Sequence, residues 1–235
     1  MTPKNKSRIK NFALMAFFAA LGTLFLLSFK RGEHYIYFWD IAGYWTSGLD
    51  FTALFFTDIG AAFSRLYESI LFDDYTLLPV LLYIPVFKWF SQSNTAFVLT
   101  TYLVYGVPFL LMLYWFFVRI FRIETLWQRA AVLFLLFTCT VFLTPLMGGF
   151  LDACGLTVVA GILLLLSCWD MTKISPFRCL GLALLVLALC FFRRWYSFWA
   201  VAFFPAYFLS LAALRGKSGL QDRTTLKVFA NLFLS

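Results

Sequence analysis

Only one charged residue, Asp152, lies between Arg129 and Asp170, a stretch of 40 positions. A helix that spans a bilayer needs about 20 apolar residues, so this stretch is long enough to cross a membrane twice. The whole chain has the same character: 63% of its residues are hydrophobic, 13% are charged, and its mean hydropathy is +0.86. A water-soluble core cannot hold so much apolar surface. We therefore expect an all-α polytopic membrane protein.

The other apolar runs extend this prediction along the chain. Together they predict six transmembrane helices, at about 11–29, 95–118, 130–147, 153–169, 179–192 and 195–214. The first run has no small-residue cleavage site and ends in two basic residues, so we interpret it as an uncleaved helix. We expect residues 1–235 to form a single transmembrane domain. A further apolar segment from Thr225 to Ser235 resembles the start of a seventh helix, which suggests a chain truncated at its C terminus.

The long loop at 30–94 carries seven of the eleven acidic residues. Aromatic and aliphatic residues recur in it at near-helical spacing, which predicts amphipathic helices lying along the membrane surface. Its last part, residues 75–90, contains two prolines and is too short for a comfortable span. We interpret that part as a half-inserted helix within the same loop.

The distribution of basic residues predicts the orientation. In the six-helix arrangement, the loops on the side of the N terminus carry 13 Lys and Arg residues and the opposite loops carry six. Basic residues are enriched in cytoplasmic loops, so we expect a cytoplasmic N terminus and an extracytoplasmic loop at 30–94. Asp152 then lies on the same outer face as that acidic loop. We expect that any chemistry takes place at this outer face. The location that we expect for the protein is a bacterial plasma membrane.

Two other classes of protein are disfavoured. The net charge of +8 could suggest a nucleic-acid partner, but the basic residues are spread over short loops, and we expect none. The five cysteines lie in or beside apolar runs without CxxC spacing, which indicates small buried side chains rather than a disulfide or metal framework. The sequence indicates no oligomeric state.

Asp40 is the first candidate for chemistry. It follows the first predicted helix by about ten residues and lies among aromatic residues near the outer bilayer surface. A carboxylate in such surroundings tends to take up a proton unless a positive group pairs with it, which suits a general base. The alternative is that Asp40 caps the helix that begins with the next residues.

Asp152 is the second candidate, because the turn that holds it is very short and leaves it close to the hydrocarbon. Carboxylates inside membranes are costly and are typical of functional sites. The alternative, an N-cap of the following helix, is compatible with such a role.

Arg193 and Arg194 are the third feature. Only 14 residues separate them from Arg178, about 21 Å of helix against a hydrocarbon thickness of roughly 30 Å. The pair is therefore predicted to lie below the outer surface, where guanidinium groups need anions. The candidate anions are Asp40, Asp152 and a phosphate ligand. The alternative is snorkelling to lipid headgroups without a specific ligand.

Several aromatic side chains are expected at interfacial depth, where they occur in any membrane protein or could contact a sugar or lipid. They include Tyr44, Trp45 and Tyr196. The single histidine, His34, stands beside Glu33 and gives no metal site by itself, although it is a further candidate for substrate contact.

These motifs together resemble the polytopic glycosyltransferases of the GT-C fold, which use polyprenyl-phosphate-linked sugars. The matching segments are YIYFWDIAGYW around Asp40, the proline-containing YTLLPVLLYIPVF, TPLMGGFLDACG around Asp152, and RRWYSFW after Phe192. The chain is shorter than members of that superfamily and lacks their later outer loops. The resemblance therefore implies a GT-C-like N-terminal module or an incomplete member.

The resemblance implies a single displacement on a polyprenyl-phosphate sugar donor. Asp40 would act as general base on an acceptor hydroxyl, and Asp152 would orient the acceptor. Arg193 and Arg194 would stabilise the departing phosphate. Whether Asp40 and Asp152 instead hold Mg²⁺ or Mn²⁺ is left open, since some superfamily members need no metal.

Two readings from other classes compete with the transferase. In a transporter or transporter subunit, Asp40, Asp152 and the arginines would line a polar path. Such proteins often have internal repeats and broken helices, and the sequence shows neither clearly. The third interpretation is a membrane scaffold or a nonfunctional remnant.

Overall fold

A computed structural model describes residues 3–32, 40–73, 76–169 and 175–214, with side chains for 9–32, 42–73, 76–169 and 175–209. Within these ranges the chain forms helices and turns, and no strand occurs. The all-α prediction is therefore confirmed. His34 and the predicted seventh helix lie outside the described residues.

Eleven α-helices are described, with two short helical segments of other types between them. The helices are α1 (Pro3–Gly32), α2 (Asp40–Thr57), α3 (Ile59–Phe72), α4 (Ile84–Trp89), α5 (Asn94–Thr101), α6 (Val107–Ile120), α7 (Leu126–Thr138), α8 (Thr140–Gly148), α9 (Asp152–Cys168), α10 (Pro176–Phe192) and α11 (Trp195–Leu214). A 3-10 segment, Leu78–Tyr83, leads into α4, and a π-helical turn, Tyr102–Gly106, joins α5 to α6.

Two helical stretches among the described residues are long and apolar enough to cross a membrane. They are Ile9–Gly32 within α1 and Asn94–Ile120, which comprises α5, the π-turn and α6. A third is added if α7 and α8, which are bent by 48° relative to each other, count as one span. The apolar helices α9 and α10 have 17 residues each, fewer than the about 20 residues that a membrane-spanning helix needs. By length and composition, the described residues thus contain two or three candidate spans, and the six predicted spans are not confirmed.

The π-turn in the Asn94–Ile120 stretch has a local cause. Pro108, at the start of α6, lacks an N–H, so the regular pattern of hydrogen bonds cannot continue through it. The N–H of Val107 instead reaches back to the carbonyl of Tyr102. The carbonyl of Tyr105 accepts a hydrogen bond from the hydroxyl of Thr157 on α9, at 2.8 Å, and this hydroxyl is shared with the carbonyl of Ala153 in α9, at 2.7 Å. A side chain from another helix therefore stabilises the irregular turn.

α6 lies along α9 and also contacts α7. α1 contacts α5 and α7, and Gly22 lets the ring of Tyr102 approach the α1 backbone closely. The 3-10 segment is held in this core by buried hydroxyl groups: Tyr83 bonds Thr101 at 2.8 Å, and Tyr105 donates to the carbonyl of Pro79 at 2.7 Å. The predicted half-inserted segment is therefore anchored by protein contacts.

The helices α10 and α11 form a second apolar cluster with the latter half of α9. Ile162, Leu182 and Leu189 are its most buried members. α10 also contacts the 3-10 segment, so the turn between α10 and α11 meets the loop that contains α2 and α3. This junction brings together the polar residues considered next.

Candidate functional site

The turn between α10 and α11 presents Arg193 and Arg194. α10 ends at Phe192, and the extended backbone of Arg193 (φ −161°, ψ 129°) turns the chain into α11. Nη1 of Arg193 donates a hydrogen bond to Oδ1 of Asp152, which forms an ion pair. The two side chains are 24% and 31% exposed, so water screens this pair less than it screens a surface pair.

Asp152 is the first residue of α9, where the helix dipole favours a negative charge. The N-cap position is Leu151, which makes no side-chain capping bond. The carboxylate of Asp152 instead pairs with Arg193, in the turn between α10 and α11. The capping alternative is therefore not what the structure shows. Among the described side chains, the candidate anion found beside Arg193 is Asp152, whereas the side chain of Asp40 lies outside the described residues.

Tyr196, the second residue of α11, completes this contact. Its hydroxyl donates to the main-chain carbonyl of Asp152 at 3.1 Å. Its ring lies against Gly155, where a Cβ atom would overlap with three ring and hydroxyl atoms. The close approach of α9 and α11 thus requires glycine at 155. Sequence reasoning missed this residue, although it stands within the DACG motif.

Arg194 points away from Asp152. Its guanidinium donates to the main-chain carbonyl of Leu71 in the last turn of α3, and the side chain is exposed. In the opposite direction, the buried hydroxyl of Thr76 donates to the carbonyls of Phe191 and Phe192, at 2.7 and 3.3 Å. Arg194 thus caps the C-terminal end of α3, and Thr76 caps the C-terminal end of α10. Sequence reasoning missed Thr76, because hydroxyl residues are common in loops and carry no distinctive pattern.

The other predicted contact residues lie at different places. Tyr44 is buried and lines the same narrow cleft as Asp152, Arg193 and Tyr196. Trp45 lies elsewhere, and its indole N–H donates to the carbonyl of Gln92 at 3.0 Å. α2 begins at Asp40, one turn before Tyr44, but the side chain of Asp40 is outside the described residues.

The cleft is small. Its free volume is about 10 Å³, which is roughly the space of one water molecule. Its lining comprises Tyr44, Thr76, Pro79, Leu151, Asp152, Cys154, Phe192, Arg193 and Tyr196. A sugar could therefore contact Asp152 only after the lining side chains move apart.

A much larger apolar groove lies between α10 and α11, with a volume of about 320 Å³. Its lining residues are Leu182, Ala183, Val186, Leu187, Cys190, Ala200, Val201 and Phe204. On α10 the lining ends at Cys190, three residues before Arg193, so the groove ends about one helical turn from the arginine pair. The arrangement suits an amphiphile with an apolar chain and an anionic head.

Of the two candidate metal ligands, only Asp152 has a described side chain, and its surroundings disfavour a divalent cation. No group of three His, Cys, Asp or Glu side chains comes together in the part of the chain with described side chains. The carboxylate of Asp152 has Arg193 as its neighbour, and a cation beside a guanidinium is disfavoured by like charge.

Comparisons with known proteins assign this chain to no family. No family model matches the sequence, no curated protein matches it significantly, and no solved structure matches it significantly.

Proposed function

We propose that this protein is a membrane glycosyltransferase of the GT-C type. It would move a sugar from a polyprenyl-phosphate-linked donor to an acceptor at the extracytoplasmic face of a bacterial plasma membrane. The observation that supports this proposal is the apolar groove between α10 and α11, which ends about one turn from Arg193 and Arg194. A prenyl chain in the groove would bring its phosphate to guanidinium donors.

The two arginines take different roles in this proposal. Arg193 is engaged by Asp152, whereas the exposed Arg194 uses Nη2 on the carbonyl of Leu71. A guanidinium has five N–H donors, so Arg194 can hold a phosphate oxygen with the others. Charge-assisted bonds to the phosphate strengthen as it leaves with negative charge. Arg194 is therefore the proposed phosphate ligand, and Arg193 positions Asp152.

The proposed reaction is a single displacement at the anomeric carbon. The acceptor oxygen forms a bond to that carbon while the bond from the carbon to the donor phosphate oxygen breaks. The phosphate leaves with the bonding electron pair, and the acceptor proton passes to the carboxylate of Asp40 as general base. Asp152 would accept a hydrogen bond from the acceptor and orient it. Tyr44 and Tyr196 would form the walls beside the sugar.

The test is transfer of sugar from a polyprenyl-phosphate donor by membranes that contain the full-length protein. A general base contributes about 10²–10⁴-fold to rate, so Asp40→Asn should lower transfer by that order. Removal of one donor to developing charge costs about 10²–10³-fold, the loss expected for Arg194→Gln. Asp50→Asn and Arg65→Gln, exposed side chains outside the cleft, are the matched controls. Unchanged transfer in Asp40→Asn would remove Asp40 from the mechanism, and equal transfer by all variants would refute the proposed site.

A transporter is the second candidate, and the broken helices favour it. The π-turn at Tyr102–Gly106 and the 48° bend between α7 and α8 both interrupt apolar helices near α9, which begins at Asp152. Interrupted helices are typical of transporter binding sites. Uptake into proteoliposomes under an ion gradient, abolished by Asp152→Asn and without sugar transfer, would favour this function over the transferase.

A further inference from the structure

The turn between α6 and α7 holds an arginine in an unusual backbone conformation. Arg122 has a φ of +50°, and within the described ranges no other residue apart from glycine has a positive φ. The N–H of Ile123 bonds the carbonyl of Val118 at 3.0 Å, and the N–H of Arg122 bonds the carbonyl of Arg119 at 3.4 Å. These two bonds form the Schellman pattern at the C-terminal end of α6, in which glycine is the usual residue at the position of Arg122.

The strain at Arg122 is not explained by packing. Its side chain is exposed, and the described part of the protein provides no hydrogen-bond or ion-pair partner for its guanidinium group. A residue other than glycine in this conformation is costly, and strained positions of this kind are typical of functional sites. We therefore looked for what the turn offers to a ligand.

Two further arginines are held at the same turn. Nε of Arg119, in the last turn of α6, donates to the carbonyl of Ser167 at the end of α9, at 2.6 Å. Nε and Nη2 of Arg129, in the first turn of α7, donate to the carbonyl of Ile123, both at 3.3 Å. A guanidinium group has five N–H donors, so each of these arginines keeps several donors beyond those bonds. Together with Arg122, they give the turn three cationic groups fixed by the fold.

Little negative charge balances these three arginines. Glu124 is the single acidic residue between Arg119 and Arg129. The ion pairs among described side chains join Arg65 to Asp73 and Arg193 to Asp152, and none involves this turn. The turn is therefore complementary to an anion.

Exposed apolar side chains flank the arginines. On the α6 side, the ring of Phe121 contacts Phe117, with centroids 6.0 Å apart, yet Phe121 is 69% exposed. On the α7 side, Trp127 is 87% exposed. Ile120 and Leu126 are exposed as well. A cationic group between exposed aromatic rings is typical of the layer where lipid headgroups meet acyl chains.

We propose that the turn between α6 and α7 binds the headgroup of an anionic phospholipid. Donors of Arg119, Arg122 and Arg129 hold the lipid phosphate, and the rings of Phe121 and Trp127 lie beside the first part of the acyl chains. The bias of basic residues toward one side of a membrane requires charge in this loop, but it does not require an arginine in the left-handed region. A water-soluble phosphate would use the arginines and leave the exposed rings without a role. The inference requires that the protein lies in a membrane, and it is independent of sugar transfer.

The experiment is native mass spectrometry of the protein in a neutral detergent, titrated with phosphatidylglycerol or with phosphatidylcholine. Arg122→Gly is the test variant, because it removes the charge and places the favoured residue at this backbone position. Arg178→Gln is the matched control. Arg178 is an exposed arginine in the first turn of α10, on the side of the membrane predicted for the turn between α6 and α7. Glycerol 3-phosphate is the water-soluble probe, and the thermal midpoint without lipid reports on the fold.

We expect phosphatidylglycerol to bind more tightly than phosphatidylcholine. Arg122→Gly should weaken phosphatidylglycerol binding about fivefold, the contribution of one basic residue beside an anionic lipid. Its thermal midpoint without lipid should be unchanged or higher, because the strain is relieved, and Arg178→Gln should bind lipid as the unaltered protein does.

Four results would overturn the inference. They are equal affinity for the two lipids, an equal loss of binding in Arg178→Gln, displacement of the lipid by an equal concentration of glycerol 3-phosphate, and a lower midpoint for Arg122→Gly. The second result would show a general response to charge, and the third would show a site for a free phosphate ester. The last would assign Arg122 a purely structural role.

Discussion

At the scale of single residues, the site depends on a glycine that permits Tyr196 to reach α9. A Cβ at 155 would overlap with the Tyr196 ring, so Gly155→Ala should displace the ring and break its bond to the carbonyl of Asp152. Overpacking costs about 1–3 kcal/mol and the lost hydrogen bond about 1 kcal/mol, so we expect a lower thermal midpoint in detergent.

Gly181→Ala on α10 is the matched control, because nothing lies within 4 Å of its added Cβ. A helical alanine there should be neutral or stabilising by about 0.5–1 kcal/mol. Equal midpoints for the two variants would contradict the packing.

The same residues show how far sequence reasoning reaches at this scale. It selected Asp152, Arg193 and Arg194 because charges in apolar surroundings need partners. It left the partner of Arg193 undecided among Asp40, Asp152 and phosphate, since a distance across three helices is not encoded in local spacing. It treated the two arginines alike, whereas one pairs with Asp152 and the other caps α3. Gly155 and Thr76 act through packing and a helix-end bond, and neither leaves a charge pattern to detect.

At the scale of elements, the apolar periodicity predicted where helices occur better than where they break. The predicted helix at 95–118 corresponds to Asn94–Ile120 but contains the π-turn. The predicted helix at 130–147 is divided at Cys139, whose extended backbone (φ −67°, ψ 111°) separates α7 from α8. Breaks depend on partners from other helices, such as the Thr157 hydroxyl at the Tyr105 carbonyl.

The π-turn gives a prediction for that partner. Thr157→Val keeps the side-chain shape but removes the hydroxyl, which leaves the Tyr105 carbonyl without this donor in an apolar setting. The bond is partly buried, and its loss should cost about 1 kcal/mol, so we expect a lower thermal midpoint in detergent. Thr138→Val is the control, because that hydroxyl bonds the carbonyl of Phe134 within its own helix at an exposed position. A larger loss in the control than in Thr157→Val would show that the contact between helices does not stabilise the turn.

At the scale of the whole molecule, helix length limits how the chain can lie in a bilayer. α9 and α10 have 17 residues each, which is about 26 Å of helix against a hydrocarbon thickness of roughly 30 Å. Both meet at the Asp152–Arg193 pair, so spans of this length would leave the pair a few ångströms inside the hydrocarbon edge. An ion pair there is less costly than either charge alone, because each neutralises the other.

The topology that follows can be measured by labelling added cysteines in intact cells with a membrane-impermeant maleimide. The charge bias predicts a cytoplasmic N terminus, so Ser91→Cys in the outer loop should be labelled from outside. Glu124→Cys, between α6 and α7, and Ser175→Cys, before α10, should be labelled only after the cells are permeabilised. The protein without added cysteines gives the background, since Cys168 is exposed at the end of α9.

The bent pair α7–α8 can lie in the bilayer in two ways, and a cysteine at Phe150 distinguishes them. If it crosses the bilayer, a cysteine at Phe150 is labelled from the same side as Ser91. If it returns to its starting side, Phe150→Cys is labelled with Glu124, Asp152 lies at the cytoplasmic face, and the proposed outer site is wrong.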